Sequence, residues 1–251
     1  MTTQLLPRLF PSNEICPAVW LDDLVKLAKE ERSKYRLYFG HYNNYLRHFV
    51  DIPFRKLTLL RHPFERAISN YRYILASEAH PLHDALVSVG SFAAYLDERE
   101  VFCPNSLTLA LGTEVDPDEV LARARRHEDG TSLHQLFDEA TFGAPARASH
   151  AEAAKRVLDD CVFVGLQEEM EKSSRLLFDH FGQEFDGHLT RSNETKYDPL
   201  TLDDLGPEIL EKLTETHRHD LEVYAYGKTL FARKWRTFLA GRGQRPQPAR
   251  A

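Results

Sequence analysis

Arg61, Ser69 and His41 are the side chains whose types and spacing could do chemistry together. In LTLLRHPFERAISNYRY, residues 57–73, an apolar run ends on Arg61, Pro63 follows two residues later, and Ser69 falls about two turns into the helix that Pro63 would start. A guanidinium fork beside a helix start, with a hydroxyl donor close by, suits a dianionic phosphate. The same arginine could instead pair with Glu65, and Ser69 could be a packing residue. Upstream, YFGHYNNYL sets His41 directly after Gly40. Histidine titrates near neutral pH, so a neutral ring there could take a proton from a hydroxyl, or simply bond to backbone in a turn.

The elements that must position these residues are legible as alternating strands and helices. Arg55 to Arg61 reads as a buried strand ending on a charge, and FERAISNYRYILA continues as a helix with Phe64, Ala67, Ile68, Tyr71 and Leu75 on one face. YRLYFGH reads as a short strand running into a turn at Gly40, and VFVGL as another strand, between the helices AEAAKRVLDDC and QEEMEKSSRLLFDHFG, the latter stopped by Gly182. Trp20 to Arg32 predicts one surface helix. Residues 91–150 read as mostly helical, with loops at Asp116-Pro117 and at Gly143 to Pro145. LTRSNETKYDPLT reads as a polar loop, Pro207 to Ala240 as one long helix, and residues 241–251 as a disordered tail. Alternation of this kind predicts an α/β fold, a mainly parallel sheet flanked by helices, within one domain over residues 1–240. Ligands of such sheets bind beyond the carboxyl ends of the strands, where Arg61 is expected.

Composition narrows the function classes. The chain has 251 residues, of which 42% are hydrophobic and 28% charged, enough to bury a core. A formal net charge of −6 argues against a nucleic-acid partner held by a general basic surface, so any bound anion must be gripped locally. Three scattered cysteines, Cys16, Cys103 and Cys161, suggest neither a zinc site nor a disulfide framework. With no apolar run of membrane-spanning length and no signal-like start, the expectation is a cytoplasmic chain without a transmembrane segment.

The string Arg61-His62-Pro63, with Arg66, Ser69 and Tyr71 in register, resembles the 3′-phosphate-binding motif of the PAPS-dependent sulfotransferases, R-[DH]-P-x-x-R-x-x-S-x-Y. It is most similar to the branch holding the heparan sulfate 2-O-sulfotransferases and bacterial carbohydrate-type enzymes. The resemblance implies a P-loop NTPase-like sheet, PAPS as sulfate donor, Arg61 and Ser69 on its 3′-phosphate, His41 as catalytic base, a carbohydrate hydroxyl as acceptor, and no metal. HLTRSNETK is similar to the family's basic donor-binding loop, which implies nucleotide contacts for Arg191, Ser192 or Lys196. VFVGLQE and HDLEVYAYGKTLF are similar to architectural segments of the family and carry no expected chemistry. Nothing matches the family's 5′-phosphosulfate loop, P-K-[TS]-G-[GTA]-[TS], and no glycine precedes Gly40. The first strand and that loop are therefore expected to be missing, with Met1 an internal methionine of a longer protein. The alternative is a non-catalytic PAP- or PAPS-binding relative. A P-loop kinase reading lacks its Walker lysine and its magnesium-binding carboxylate.

Overall fold

The computed structural model describes residues 5–98, 102–126, 131–189 and 200–242. Helices α1 (Leu21–Lys26) and α2 (Lys29–Arg32) precede strand β1 (Leu57–Leu60), which runs into α3 (Pro63–Ala76). A helical stretch follows: α4 (His83–Val89), α5 (Phe92–Tyr95), α6 (Ser106–Gly112), α7 (Pro117–Ala124), α8 (Leu133–Phe142) and α9 (Ala148–Asp160). Strand β2 (Phe163–Leu166), α10 (Met170–His180), α11 (Pro207–Thr216) and α12 (Arg218–Arg242) complete the order.

The sheet formed by the described residues is two-stranded and parallel, with Leu57 opposite Phe163 and Leu60 opposite Leu166. This is an α/β arrangement, with both strands where the apolar runs place them. Strand β2 is buried throughout, whereas in β1 only Leu60 is buried. Leu60 is 1% exposed, and α12 crosses directly against it because Gly227 has no side chain: a Cβ there would lie 2.2 Å from Leu60 Cδ1. Burying a leucine so fully is worth about 1.5–3 kcal/mol. One core surrounds the sheet, α9, α10 and α12, and includes Leu158, Val164, Leu177 and Val223. A second lies under α1, residues 42–50 and α8, and a third under α3 to α5 and α11.

Four expectations are corrected. YRLYFGH forms no regular strand; its pairing with residues 15–20 is limited to the isolated bridges Ile15–Leu37 and Trp20–His41. Pro17 lies between those two contacts and has no N–H to give a ladder. The helix expected over 20–32 breaks at Leu27 and Ala28, both extended, and Arg32 bonds the freed carbonyls of Val25 and Leu27 at 2.5 and 2.9 Å. Asp116-Pro117 is a helix start rather than a loop: the Asp116 carboxylate accepts from Asp118 and Glu119 N–H, with Pro117 in the first turn of α7. The long helix expected over 207–240 is divided at His217, and its second half continues to Arg242, past the expected start of the tail.

Asn105 explains that division. Its amide donates to Thr216 O at 2.6 Å, while its carbonyl accepts from His219 and Asp220 N–H at 3.0 Å each. One side chain thus caps the end of α11 and the start of α12. Asp220 reciprocates, accepting from Leu107 and Thr108 N–H at the start of α6. No helix among the described residues is long and apolar enough to cross a membrane.

Candidate functional site

Strand β1 delivers Arg61 to its carboxyl end, and Pro63 opens α3 after the cap residue His62, whose Nδ1 accepts from Phe64 N–H at 3.3 Å. Arg61 is half-buried and lies 3.6 Å from Glu65, the partner anticipated by the simpler reading. Burial pushes the Arg61 guanidinium down from its ordinary range, and the carboxylates of Glu65 and Glu168 oppose that shift. Glu65 and Ser69 are four residues apart on one face of α3, and Arg61 reaches Glu65 from the strand end. Ser69 stands about 9 Å along the axis from Pro63. No hydrogen bond of its hydroxyl is formed among the described residues.

An anion arriving at Arg61 must displace Glu65. With side chains 27% and 38% exposed, that pair is worth only about 0.2–1 kcal/mol. A hydrogen bond from a charged group to phosphate contributes about 1.5–3 kcal/mol, so the exchange favours the phosphate. Glu168 is a different matter. It accepts from His62 N–H at 2.5 Å and from the Tyr224 hydroxyl at 2.9 Å, tying the carboxyl ends of both strands to α12. Burial first, and then this bond to Glu168, hold the Tyr224 phenol protonated, with its pKa well above the usual value. Glu168 and Tyr224, together with Asp220, are the marked residues of VFVGLQE and HDLEVYAYGKTLF. Each makes a structural contact here.

His41 belongs to a second cluster. The Gly40 backbone presses against Val19, where a Cβ would lie 2.3 Å from the carbonyl oxygen, and His41 N–H donates to that oxygen at 2.8 Å. This close approach lays the imidazole flat on the Trp20 indole, with centroids 4.1 Å and planes 8° apart. His134 of α8 meets the indole edge-on at 4.9 Å and lies 6.2 Å from the His41 ring. His134 Nδ1 is 3.0 Å from the Tyr45 hydroxyl and its Nε2 is 3.2 Å from Asp138 Oδ2. The Tyr45 hydroxyl also lies 3.2 Å from Asp138 Oδ1, which accepts from Asn43 Nδ2 as well. Asn43 takes a left-handed backbone, φ 42°, which this residue type tolerates. Asp22 of α1 accepts from Leu133 and His134 N–H, fixing the start of α8 against the segment that carries Trp20. Burial, and next the neighbouring His134 ring, push the His41 pKa below the usual histidine value, opposed by Asp138.

The sequence reading set His41 at the end of a short strand. It lies instead on the Trp20 segment, and no hydrogen bond, ion pair or ring contact among the described residues joins it to Arg61 or Ser69. Arg191, Ser192 and Lys196 lie outside the described residues. A hollow of about 70 Å³ between β1 and α10, lined by Leu57, Leu59, Met170, Ser174 and Leu177, is apolar and includes none of the expected site residues. Burial raises the thiols of Cys103 and Cys161 to about 11, so neither is a ready nucleophile.

Comparison of the chain with protein-family models, curated proteins and solved structures finds no match. His134 and Asp138 are the functional candidates that sequence reasoning missed. Their signal is His-x-x-x-Asp, one helical turn apart, with His134 inside the Ser132–Gln135 capping box that starts α8.

Proposed function

We propose that this chain belongs to the PAPS-dependent sulfotransferases and moves a sulfuryl group from PAPS to a hydroxyl, with a carbohydrate as acceptor class, on a P-loop-like fold. The observation that carries the reading is the β1–α3 unit. A strand end presents a half-buried arginine, proline starts the next helix, and that helix carries a serine whose hydroxyl has no hydrogen-bond partner among the described residues. Those are the donors a 3′-phosphate needs, and only a weak ion pair must be given up to use them.

In this reading Arg61 and Ser69 hold the 3′-phosphate of the donor. The acceptor oxygen attacks sulfur as its proton passes to His41, and the bond from sulfur to the phosphate oxygen breaks, releasing PAP. Histidine suits this step because its neutral form predominates near neutral pH, more so where burial disfavours the cation. Trp20, 45% exposed beside His41, offers an apolar plane with a polar N–H edge, a surface suited to a sugar ring.

The test is transfer of labelled sulfate from PAPS to a panel of carbohydrate hydroxyl acceptors. Transfer that disappears in Arg61→Ala and in His41→Ala is expected. PAP binding without transfer to any acceptor removes the enzyme reading and leaves a nucleotide-binding protein.

A further inference from the structure

The two histidines beside Trp20 differ in what their ring nitrogens do. Both nitrogens of His134 are engaged, one by the Tyr45 hydroxyl at 3.0 Å and the other by Asp138 at 3.2 Å. His134 is also the better covered, with its side chain 13% exposed. His41 is exposed, and among the described residues its backbone N–H and C=O are bonded to Val19 and Tyr45 while neither ring nitrogen has a hydrogen-bond partner. One ring is therefore fixed and occupied, and the other is presented.

The support is closed on itself. A single hydroxyl proton on Tyr45 can go to only one of His134 Nδ1, Asp138 Oδ1 and the His41 carbonyl, which lie 3.0, 3.2 and 3.1 Å away. If Tyr45 donates to His134 Nδ1, then His134 is neutral and gives its Nε2 proton to Asp138. If Tyr45 donates elsewhere, Nδ1 donates to the tyrosine oxygen, and Nε2 and Asp138 share a proton. Both His134 nitrogens are therefore occupied in either arrangement, 6.2 Å from the His41 ring.

We propose that His134, clamped by Asp138 and Tyr45, is the positioning residue of His41: with Trp20 it forms a built support that presents the His41 imidazole, with its nitrogens free, to an acceptor hydroxyl. This rests on the sulfuryl-transfer reading for the identity of the reaction, but not for the acid–base unit itself. His134 acts through His41, since taking a substrate proton would break one of its own bonds. The titratable groups that face His41 are His134 and Asp138 from α8 and Tyr45 from residues 42–50, and Asp22 of α1 anchors the start of α8. In the parent protein burial holds His41 below the usual histidine range; a cation at His134 adds to that effect, and Asp138 opposes it.

The experiment is an NMR titration of the histidine rings in the parent chain and in His134→Gln and Asp138→Asn, with each variant checked for a native circular dichroism spectrum. His41 is expected to titrate at higher pH in His134→Gln and at lower pH in Asp138→Asn. An unchanged His41 midpoint in both folded variants overturns the proposal. Sulfuryl transfer supplies an independent arm, in which His134→Gln should move the acid limb of the kcat/KM profile to higher pH and lower its plateau about ten- to a hundredfold. Displaced titrations with no transfer in the parent support the acid–base unit and sink the sulfotransferase reading. Transfer that needs His41, with a profile identical in His134→Gln and Asp138→Asn, supports that reading and overturns the proposal.

Discussion

The Trp20 indole and the His41 imidazole stack face to face, 4.1 Å between centroids and 8° from parallel. An aromatic pair of this kind contributes about 0.5–1.5 kcal/mol beyond its buried area, enough to select one ring orientation. We predict that His41→Ala lowers kcat by about 10²–10⁴-fold, the usual contribution of a general base, while PAP affinity stays within about twofold of the parent. Trp20→Ala should raise KM for a carbohydrate acceptor and lower kcat, with PAP affinity again unchanged. Steady-state kinetics beside calorimetry read all three quantities; a loss of PAP affinity in either variant places these rings at the donor instead.

Glu65 lies 3.6 Å from Arg61, and an anion arriving there competes with it. Glu65→Gln removes that competition and should tighten PAP binding by a factor of about two to five, the equivalent of a partly exposed ion pair. The gain should shrink in high salt. Weaker binding in Glu65→Gln would show that the carboxylate helps to orient Arg61 rather than compete for it.

The β1–α3 unit is legible in the sequence because every part of it is local. An apolar run, a charge, a proline and a helical stripe lie within residues 57–73, and the chain has no freedom to arrange them otherwise. His134 is hidden for the opposite reason. It stands 89 residues from Tyr45, and only the packing of α8 onto residues 42–50 brings the two together. The division of the last helical stretch is equally non-local, since Asn105 lies 111 residues from the Thr216 carbonyl that it caps. The helical pattern of 207–240 continues through His217, so nothing local marks the break. YRLYFGH fails as a strand because β propensity says nothing about whether a partner has donors, and Pro17 lacks one.

Asn105 should therefore be costly to replace although it touches no proposed ligand. Asn105→Ala leaves the Thr216 carbonyl and two N–H groups without their partner, in a setting where Asn105 is only 9% exposed. Loss of about 2–3 kcal/mol of unfolding free energy is expected. Urea denaturation measures it, and a change under about 0.5 kcal/mol, the range of an ordinary surface substitution, would refute the capping account.

Acidification should weaken the fold before the carboxylates titrate. Burial is the largest cause that lowers the pKa of His217 and of His62 below the ordinary value of 6.5. Below 6.5 the unfolded chain binds these protons first, so stability is full above that pH and falls as pH drops through the folded values. His217, 3% exposed, should contribute most. Chemical denaturation between pH 7.5 and about 5 should show stability rising with pH, and His217→Gln should flatten the slope even if it lowers the plateau. A slope that His217→Gln leaves intact assigns the loss to other groups.

A dedicated 3′-phosphate site at Arg61 and Ser69 is read out by calorimetry with PAP and with AMP. PAP should bind the parent at least about tenfold more tightly, since the 3′-phosphate adds one or more charge-assisted hydrogen bonds of about 1.5–3 kcal/mol each. That preference should vanish in Arg61→Ala and shrink in Ser69→Ala. Equal affinities for PAP and AMP in the folded parent protein, or a preference that survives Arg61→Ala, would contradict the account.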